Sequence, residues 1–337
     1  MNTEEIIHVI ENKALPDTCN DVDYLETPNS WIILSDNHAF KIRKQVQENG
    51  KELSTFEQRK NICLKELNLN KPLAGKTYES VVALKSTGKA DVGANHTNFK
   101  EEHALKMKRL EKEKSLFEIL KKSNISSEEI REIATTIAEF HKNSNIVKNT
   151  FRITEFQKEY EEIKRCRDFV LVLFGETYLN IINKSIQVSK NMLNKNRYFI
   201  QQRTIEGYVR DGHGNLNANK IFLNRKPIIT DRVILDDEKR KVDVLFDIAL
   251  VGINLDFHEH SNLDELFLKH YIEVFGDQYS NNTQLLYTYY KLYRTGQLIT
   301  KMLDRNTIYS LSEAQKKDIS KYFNLLKRYM ESLQKQK

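Results

Sequence analysis

Asp211-Gly-His-Gly-Asn-Leu-Asn-Ala-Asn-Lys220 is the stretch on which the fold turns, and Asp231 follows it eleven residues on. Between them lie residues 221–223, the polar turn Asn224-Arg225-Lys226 and the apolar run 227–230. Two short apolar runs around a polar turn read as a hairpin. An acid that closes the second, apolar strand is out of place as packing, because a buried carboxylate needs a cation or a metal beside it. A polar loop, a tight hairpin and a terminal acid therefore point to a site rather than to core.

Upstream, Trp31-Ile-Ile-Leu34 and Ala39-Phe-Lys-Ile-Arg43 flank Ser35-Asp-Asn-His38, which reads as another hairpin. Side chains alternate along a strand, so Ala39, Lys41 and Arg43 share one face and Phe40 and Ile42 the other. Leu53, Phe56, Ile62, Cys63 and Leu67 recur at helical spacing across 52–69, with Glu66 at the edge of that apolar face. Residues 77–84 and 103–109 read as further strands, separated by a polar stretch around 88–98 that reads as a long turn. The first part is thus a small sheet with one helix on it, ending near residue 110. Beyond it the chain turns helical. Ser126, with Glu129 three residues later, makes a capping box for a helix through Phe140 and His141. Helical periodicity fits 154–171, 176–195, 241–256, 262–275, 282–303 and 312–334. Strand signals remain only at 197–202 and in the 221–231 hairpin. An α+β chain is expected, with a sheet-rich lobe over 1–110, a helical lobe over 111–337 and a cleft between them.

Composition narrows the classes further. The 337 residues include only 4 prolines and 11 glycines, which suits long helices. The net charge of +6 is spread along helices instead of forming a basic arm, which argues against nucleic acid as a partner. Cys19, Cys63 and Cys166 are far apart and odd in number, which suits a reducing cytoplasm and makes no metal motif. No apolar run has the length of a membrane span, and Met1-Asn-Thr-Glu-Glu reads as an acidic, helical start. Walker, Gly-x-Ser-x-Gly and paired Cys/His motifs are absent. His258 and His260 are expected at a solvated helix end, and the tyrosines from Tyr287 to Tyr293 in core packing.

Taken in order, several segments resemble the bacterial aminoglycoside-phosphotransferase-like branch of the protein-kinase-like superfamily. They are Glu26-Thr-Pro-Asn-Ser-Trp31, Phe40-Lys-Ile-Arg-Lys44, Lys65-Glu-Leu-Asn-Leu-Asn70, Lys106-Met-Lys-Arg-Leu110, Phe140-His141, Val209-Arg-Asp-Gly-His-Gly214, Ile229-Thr-Asp231 and the acids Asp243 and Asp247. The resemblance implies a two-lobe kinase fold that takes ATP or another nucleotide with at most one magnesium ion. It implies that Lys41 contacts nucleotide phosphates with Glu66 as its helix partner, that Ser30 belongs to the loop covering the phosphates, and that the Met107 segment meets the base. It makes Asp231 the metal acid, His213 a support for its loop, and Asp243 and Asp247 anchors of the catalytic segment.

The departures fall on the chemistry. The family pattern has Asp where this chain has Asn215, and a carboxamide cannot accept and hold a proton at neutral pH. Loss of a general base typically costs about 10²–10⁴ in rate. Five residues on, the pattern has a metal-binding Asn and this chain has Lys220. An ammonium about 4 Å from a divalent ion repels it by roughly 8 kcal/mol at an effective dielectric of about 20, so the lysine is expected either to fill the metal position or to point away. Ile234 stands where many relatives carry Glu, and Leu298 and Thr300 replace basic residues. The expectation is a kinase-fold protein with impaired phosphotransfer that still binds nucleotide and works as a regulatory or interaction module. The alternative is an active ATP-dependent phosphotransferase on a small hydroxyl- or amino-bearing metabolite, with Asp211 or a water replacing the missing carboxylate. A third reading is transfer of another part of the nucleotide to a protein partner. A polycationic antibiotic suits a strongly acidic site, which a net positive chain does not suggest.

Overall fold

The computed structural model describes residues 3–11, 15–17, 22–45, 47–48, 51–86, 100–122, 125–148, 152–304 and 311–335. The polar stretch around 88–98, Cys19 and the first two residues lie outside these. The chain divides into two compact units, Met1–Ser115 with Lys220–Asp237, and Leu116–Asn219 with Glu238–Lys337. The hairpin that Asp231 closes thus belongs to the first unit, whereas a division at residue 110 assigns it to the second.

In the first unit, α1 (Thr3–Glu11) precedes β1 (Asp23–Glu26), β2 (Ser30–Leu34) and β3 (His38–Arg43). The short strands β4 (Gln47–Glu48) and β5 (Lys51–Glu52) pair with each other, and α2 (Phe56–Ala74), β6 (Tyr78–Ser86) and β7 (Lys100–Lys108) follow. The sheet runs β1-β2-β3-β7-β6 and every neighbouring pair is antiparallel. Alternation along β3 decides what each face meets. Phe40 and Ile42 pack with Trp31, Ile33, Leu84 and Ala104 and with Ile6 and Val9 of α1, so the expected helical start packs on this face of the sheet. Lys41 and Arg43, on the other face, reach Glu66 of α2. Thr55 caps α2 through a reciprocal bond with Gln58, and fully buried Arg59 pins the helix to Glu102 of β7. The hairpin of β9 (Ile221–Phe222) and β10 (Ile228–Ile229) completes this unit.

The second unit is helical. It contains α3 (Leu116–Lys121), α4 (Ser127–Asn143), α5 (Ile153–Tyr160), α6 (Arg167–Phe174), α7 (Glu176–Lys195) and α8 (Arg197–Ile205). After the strand pair β8 (Val209–Asp211) and β11 (Lys241–Asp243) come α9 (Val244–Phe257), α10 (Ser261–Phe275), α11 (Asn281–Met302) and α12 (Glu313–Lys335). The capping box expected at Ser126 and Glu129 is present. Helix α9 is apolar nearly all round and is buried along most of its length, as such a helix must be. Tyr287, Tyr289, Tyr290 and Tyr293 of α11 are core residues, as their spacing implied.

Several sequence expectations need correction. The pair β8 and β11 lies where no strand is expected, and Lys241–Asp243 is strand at the start of the segment expected as helix over 241–256. Residues 197–202 are helix, not strand: the buried positions Ile200, Arg203 and Thr204 keep helical spacing, but one of them is an arginine, so no apolar stripe marks the face. The helix expected over 154–171 is interrupted by a tighter turn at Glu161–Cys166. Tyr160, Ile163 and Cys166 are buried there at intervals of three, the repeat of a 3₁₀ helix. His258 and His260 do lie at the end of α9, yet both are half-buried with their Nε2 atoms covered, and Phe117 and Phe257 meet the His258 ring edge-on. Among the described residues, no helix is long and apolar enough to cross a membrane.

Candidate functional site

The first unit gathers an ionic group around Glu66. Alternation on β3 sends Lys41 and Arg43 toward α2, where Glu66 is fully buried. Lys41 Nζ donates to Glu66 Oε1 at 2.7 Å and Arg43 donates to Oε2, so both oxygens are engaged. The same Lys41 ammonium donates to Asp231 Oδ1 at 2.9 Å. Lys220 takes the other side: its Nζ lies 2.9 Å from Asp231 Oδ2 and donates to the Asp231 carbonyl at 3.0 Å. One carboxylate thus carries two ammonium groups, one on each oxygen. Burial alone would raise the Asp231 pKa, but the charges of Lys41 and Lys220 hold it well below the usual carboxylate range. Lys41 is held in its charged form in the same way: Asp231 and Glu66 outweigh the cost of its burial.

Asp231 is itself an unusual residue. Its φ of 62° lies in the left-handed region, which costs a non-glycine residue of order 1–3 kcal/mol. Neighbours fix this conformation. The Asp231 N–H donates to the Tyr78 hydroxyl at 3.0 Å, the Arg232 N–H donates to Asn70 Oδ1 at 3.0 Å, and the Thr230 N–H donates to the Lys220 carbonyl at 2.9 Å. The turn presents the carboxylate outward, with 44% of the side chain exposed. Three backbone hydrogen bonds thus hold a strained acid whose two oxygens both meet lysines.

In the second unit, the loop 211–219 is organised by Asp247, a buried residue in the first turn of α9. Its carboxylate accepts from the His213 N–H at 2.6 Å, from the Gly214 N–H at 2.8 Å and from His141 Nε2 at 3.1 Å. A carboxylate can only accept, so the His141 proton sits on Nε2, and Nδ1 faces the Tyr271 hydroxyl at 2.7 Å. The glycines have separate reasons. A Cβ on Gly212 would stand 2.4 Å from Asp247 Oδ2, and Gly214 has φ +84°. Asp243 caps α9 through the Leu245 N–H and receives Arg203 in a two-pronged pair, with Asp277 on the other side of that guanidinium.

Burial would raise the Asp247 pKa, but the hydrogen bond from His141, the neighbouring imidazoles and the His213 amide take it well below the ordinary carboxylate value. A depressed folded pKa adds stability that is complete above the unfolded value, near 3.8, and is lost as pH falls through the folded one. We expect acid titration followed by circular dichroism to show stability falling below about pH 4. Asp247→Asn should flatten that part of the profile.

Among the sequence candidates, Lys41, Glu66, Lys220 and Asp231 come together in the first unit. Lys220 points toward Asp231 and contacts both its carboxylate and its carbonyl. Ser30 starts β2 with its hydroxyl buried and accepting from Arg43 Nη1 at 3.4 Å. Met107 of β7 is half-buried against the cluster of Cys63, Leu67, Ala74, Tyr78 and Leu105. Asn215 sits in the loop of the second unit, its N–H on His213 Nδ1 and its side-chain oxygen accepting from Asn217. Asp211 ends β8 and is paired with Arg240 Nε at 2.8 Å, which commits that carboxylate to a partner. Ile234 is buried and its carbonyl accepts from Lys65, and the Thr300 hydroxyl bonds back to Gly296. The Cys63 thiol is buried, and burial and then Glu66 push it up to about 12.

The sequence reading assigns no role to Tyr78, Asn70 or Arg294. Arg294 of α11 donates to the Gly214 carbonyl at 3.3 Å and lies 4.9 Å from the Phe246 ring, and burial depresses its pKa. Position in a helix that also carries four buried tyrosines was the available signal.

Magnesium is poorly matched to these residues. Both Asp231 oxygens already carry ammonium groups, and among the described residues no three His, Cys, Asp or Glu side chains gather as a metal-binding set.

Comparison with known proteins bears on the fold. No protein-family model matches the chain. The chain is 26% identical over 266 residues, 76% of its length, to uncharacterised proteins of Mycobacterium tuberculosis and Mycobacterium bovis. It spans about half the length of these curated relatives. A choline/ethanolamine kinase family protein from Mesorhizobium loti superposes with a TM-score of 0.55 at 11% identity, covering 98% of this chain and 95% of that one. The GDP complex of aminoglycoside 2'-phosphotransferase-IIIa gives 0.55 at 14% identity, with 98% and 99% covered. The fold is that of the aminoglycoside-phosphotransferase-like kinases. Choline kinase from Cryptosporidium parvum shares this kinase fold with a TM-score of 0.57 at 10% identity, over 99% of this chain and 97% of that one.

Proposed function

We propose that this chain is a kinase-fold protein that has lost phosphotransfer chemistry, binds a nucleotide, and acts as a regulatory or interaction module. The observation that carries this reading is the Lys220 ammonium on Asp231, at the position where the family pattern has a metal ligand. Phosphoryl transfer depends on metal charge to neutralise the phosphates and on a group that takes or orients the acceptor proton. Here the acid that would hold the metal is saturated with cations, and Asn215 offers an amide instead of a carboxylate. The active alternative calls on Asp211, whose carboxylate is paired with Arg240. Lys41, Arg43 and Glu66 keep the buried pairing that a phosphate-binding lysine requires, which favours retained nucleotide binding over a bare scaffold.

ATP labelled separately at the α- and γ-phosphate, incubated with a panel of amino alcohols, aminoglycosides and cell protein, should yield no labelled product. At about 100 times its Kd, ATP should add about 2.7 kcal/mol of stability, seen as a raised melting temperature. Steady transfer to any acceptor, abolished by Asn215→Ala, would refute the reading.

A further inference from the structure

We infer that Lys220 is a built-in replacement for the divalent cation, and that the first unit binds polyphosphate without a metal. The inference rests on the nucleotide reading above and adds how the phosphates are neutralised. Lys41, Arg43 and Lys220 supply three positive charges, and Glu66 and Asp231 supply two negative ones. The group therefore carries one surplus positive charge before any ligand arrives. A divalent ion would have to join a cluster that is already cationic, displacing an ammonium from Asp231 at close range. A phosphate chain meets the opposite balance, because a surplus cation at a low-dielectric surface favours an anion.

The geometry makes Lys220 a fixed counter-ion instead of a passing surface charge. Its ammonium is tied to the Asp231 carbonyl as well as to Oδ2, and its own carbonyl holds the Thr230 N–H. The left-handed Asp231 turn, braced by Tyr78 and Asn70, sets the height at which that ammonium stands. Lys220 has two of its three protons engaged by Asp231 at most, and an ammonium has three to give. It is the only one of the three cations that makes no contact with Glu66, so an arriving phosphate can recruit it without exposing that buried acid.

The test is calorimetric titration of ATP into the full chain, once with EDTA and once with excess magnesium chloride. Wild type is expected to bind with Kd values that agree within about twofold in the two buffers. Lys220→Met should weaken binding in EDTA by about tenfold or more, and Lys220→Arg should restore most of it. Lys220→Asn, which frees Asp231 Oδ2 and supplies an amide oxygen, should bind better with magnesium than without. Circular dichroism melts of each variant establish that it is folded. Wild-type binding that disappears in EDTA would overturn metal independence while leaving nucleotide binding intact. Undiminished binding by folded Lys220→Met in EDTA would reduce the lysine to a structural ion pair and overturn the inference. Absence of binding by wild type in both buffers would remove the nucleotide reading itself, and this inference with it.

Discussion

Glu66→Ala is expected to cost the first unit about 3–5 kcal/mol, because it strands charges that the fold has taken out of water. Glu66 is fully buried, with Lys41 on one oxygen and Arg43 on the other. Without it, Arg43 keeps only the Ser30 hydroxyl at 3.4 Å, and Lys41 falls back on Asp231. Glu66→Gln should be nearly as damaging, since an amide oxygen cannot neutralise two cations. Lys41→Met should cost much less, because Arg43 continues to balance the acid. Urea unfolding, read at the Trp31 fluorescence that reports on β2, checks the order. A loss of only about 0–1 kcal/mol for Glu66→Gln would mean that the pair is worth no more than a surface bridge. Equal losses for Glu66→Gln and Lys41→Met would overturn the expected order.

The parts of this group were legible to very different degrees. Lys41 and Arg43 could be put on one face from strand alternation, and Glu66 next to an apolar helical stripe, because the period of two and the helical repeat survive in the residue types. That Arg43 would share Glu66 with Lys41 was implicit in the same alternation, although only the lysine was given a role. The Asn215 and Lys220 departures were visible only through the family pattern, and the two alternatives for Lys220 needed coordinates to separate them. Tyr78 was not legible. A tyrosine opening a strand reads as core, and its hydroxyl becomes a brace only because Asp231 adopts a positive φ.

The same limit explains the second unit. Charged side chains in helices read as solvated faces, so buried Arg203, Lys291, Asp256 and Asp264 left no mark on the apolar period. The run 197–202 therefore reads as a strand from sequence, although it is helix. The long helices with apolar stripes, α7 and α10 to α12, were found close to their ends, since burial of an amphipathic face is what sets their spacing. The hairpin 221–231 was recognised from its turn, but two-residue strands say nothing about which unit they join.

Lys291→Met is expected to be the most damaging change in the second unit and to reverse the sign of its pH dependence. The Lys291 ammonium is buried between Asp256, at 2.9 Å, and Asp264, at 2.5 Å, and so ties α9 and α10 to α11. Burial alone would raise the Asp256 pKa, but the Lys291 charge and the hydrogen bonds from Tyr329 and Ser261 bring it below its ordinary value. In the wild type this carboxylate contributes stability that is present above about pH 4 and lost as pH falls through its folded pKa. Methionine matches the lysine stem in length and removes only the charge, so packing changes little. Asp264 then keeps a single hydrogen bond, from the Tyr287 hydroxyl, while Asp256 retains the half-exposed Arg328. Losing one member of a buried pair costs about 3–5 kcal/mol. A buried carboxylate without its cation has a raised pKa, so the variant should gain stability as pH falls from 7 toward 5, where wild type is flat. Denaturation midpoints at pH 5, 6 and 7 decide the matter: parallel profiles for the two proteins would show that the ammonium does not hold these helices together.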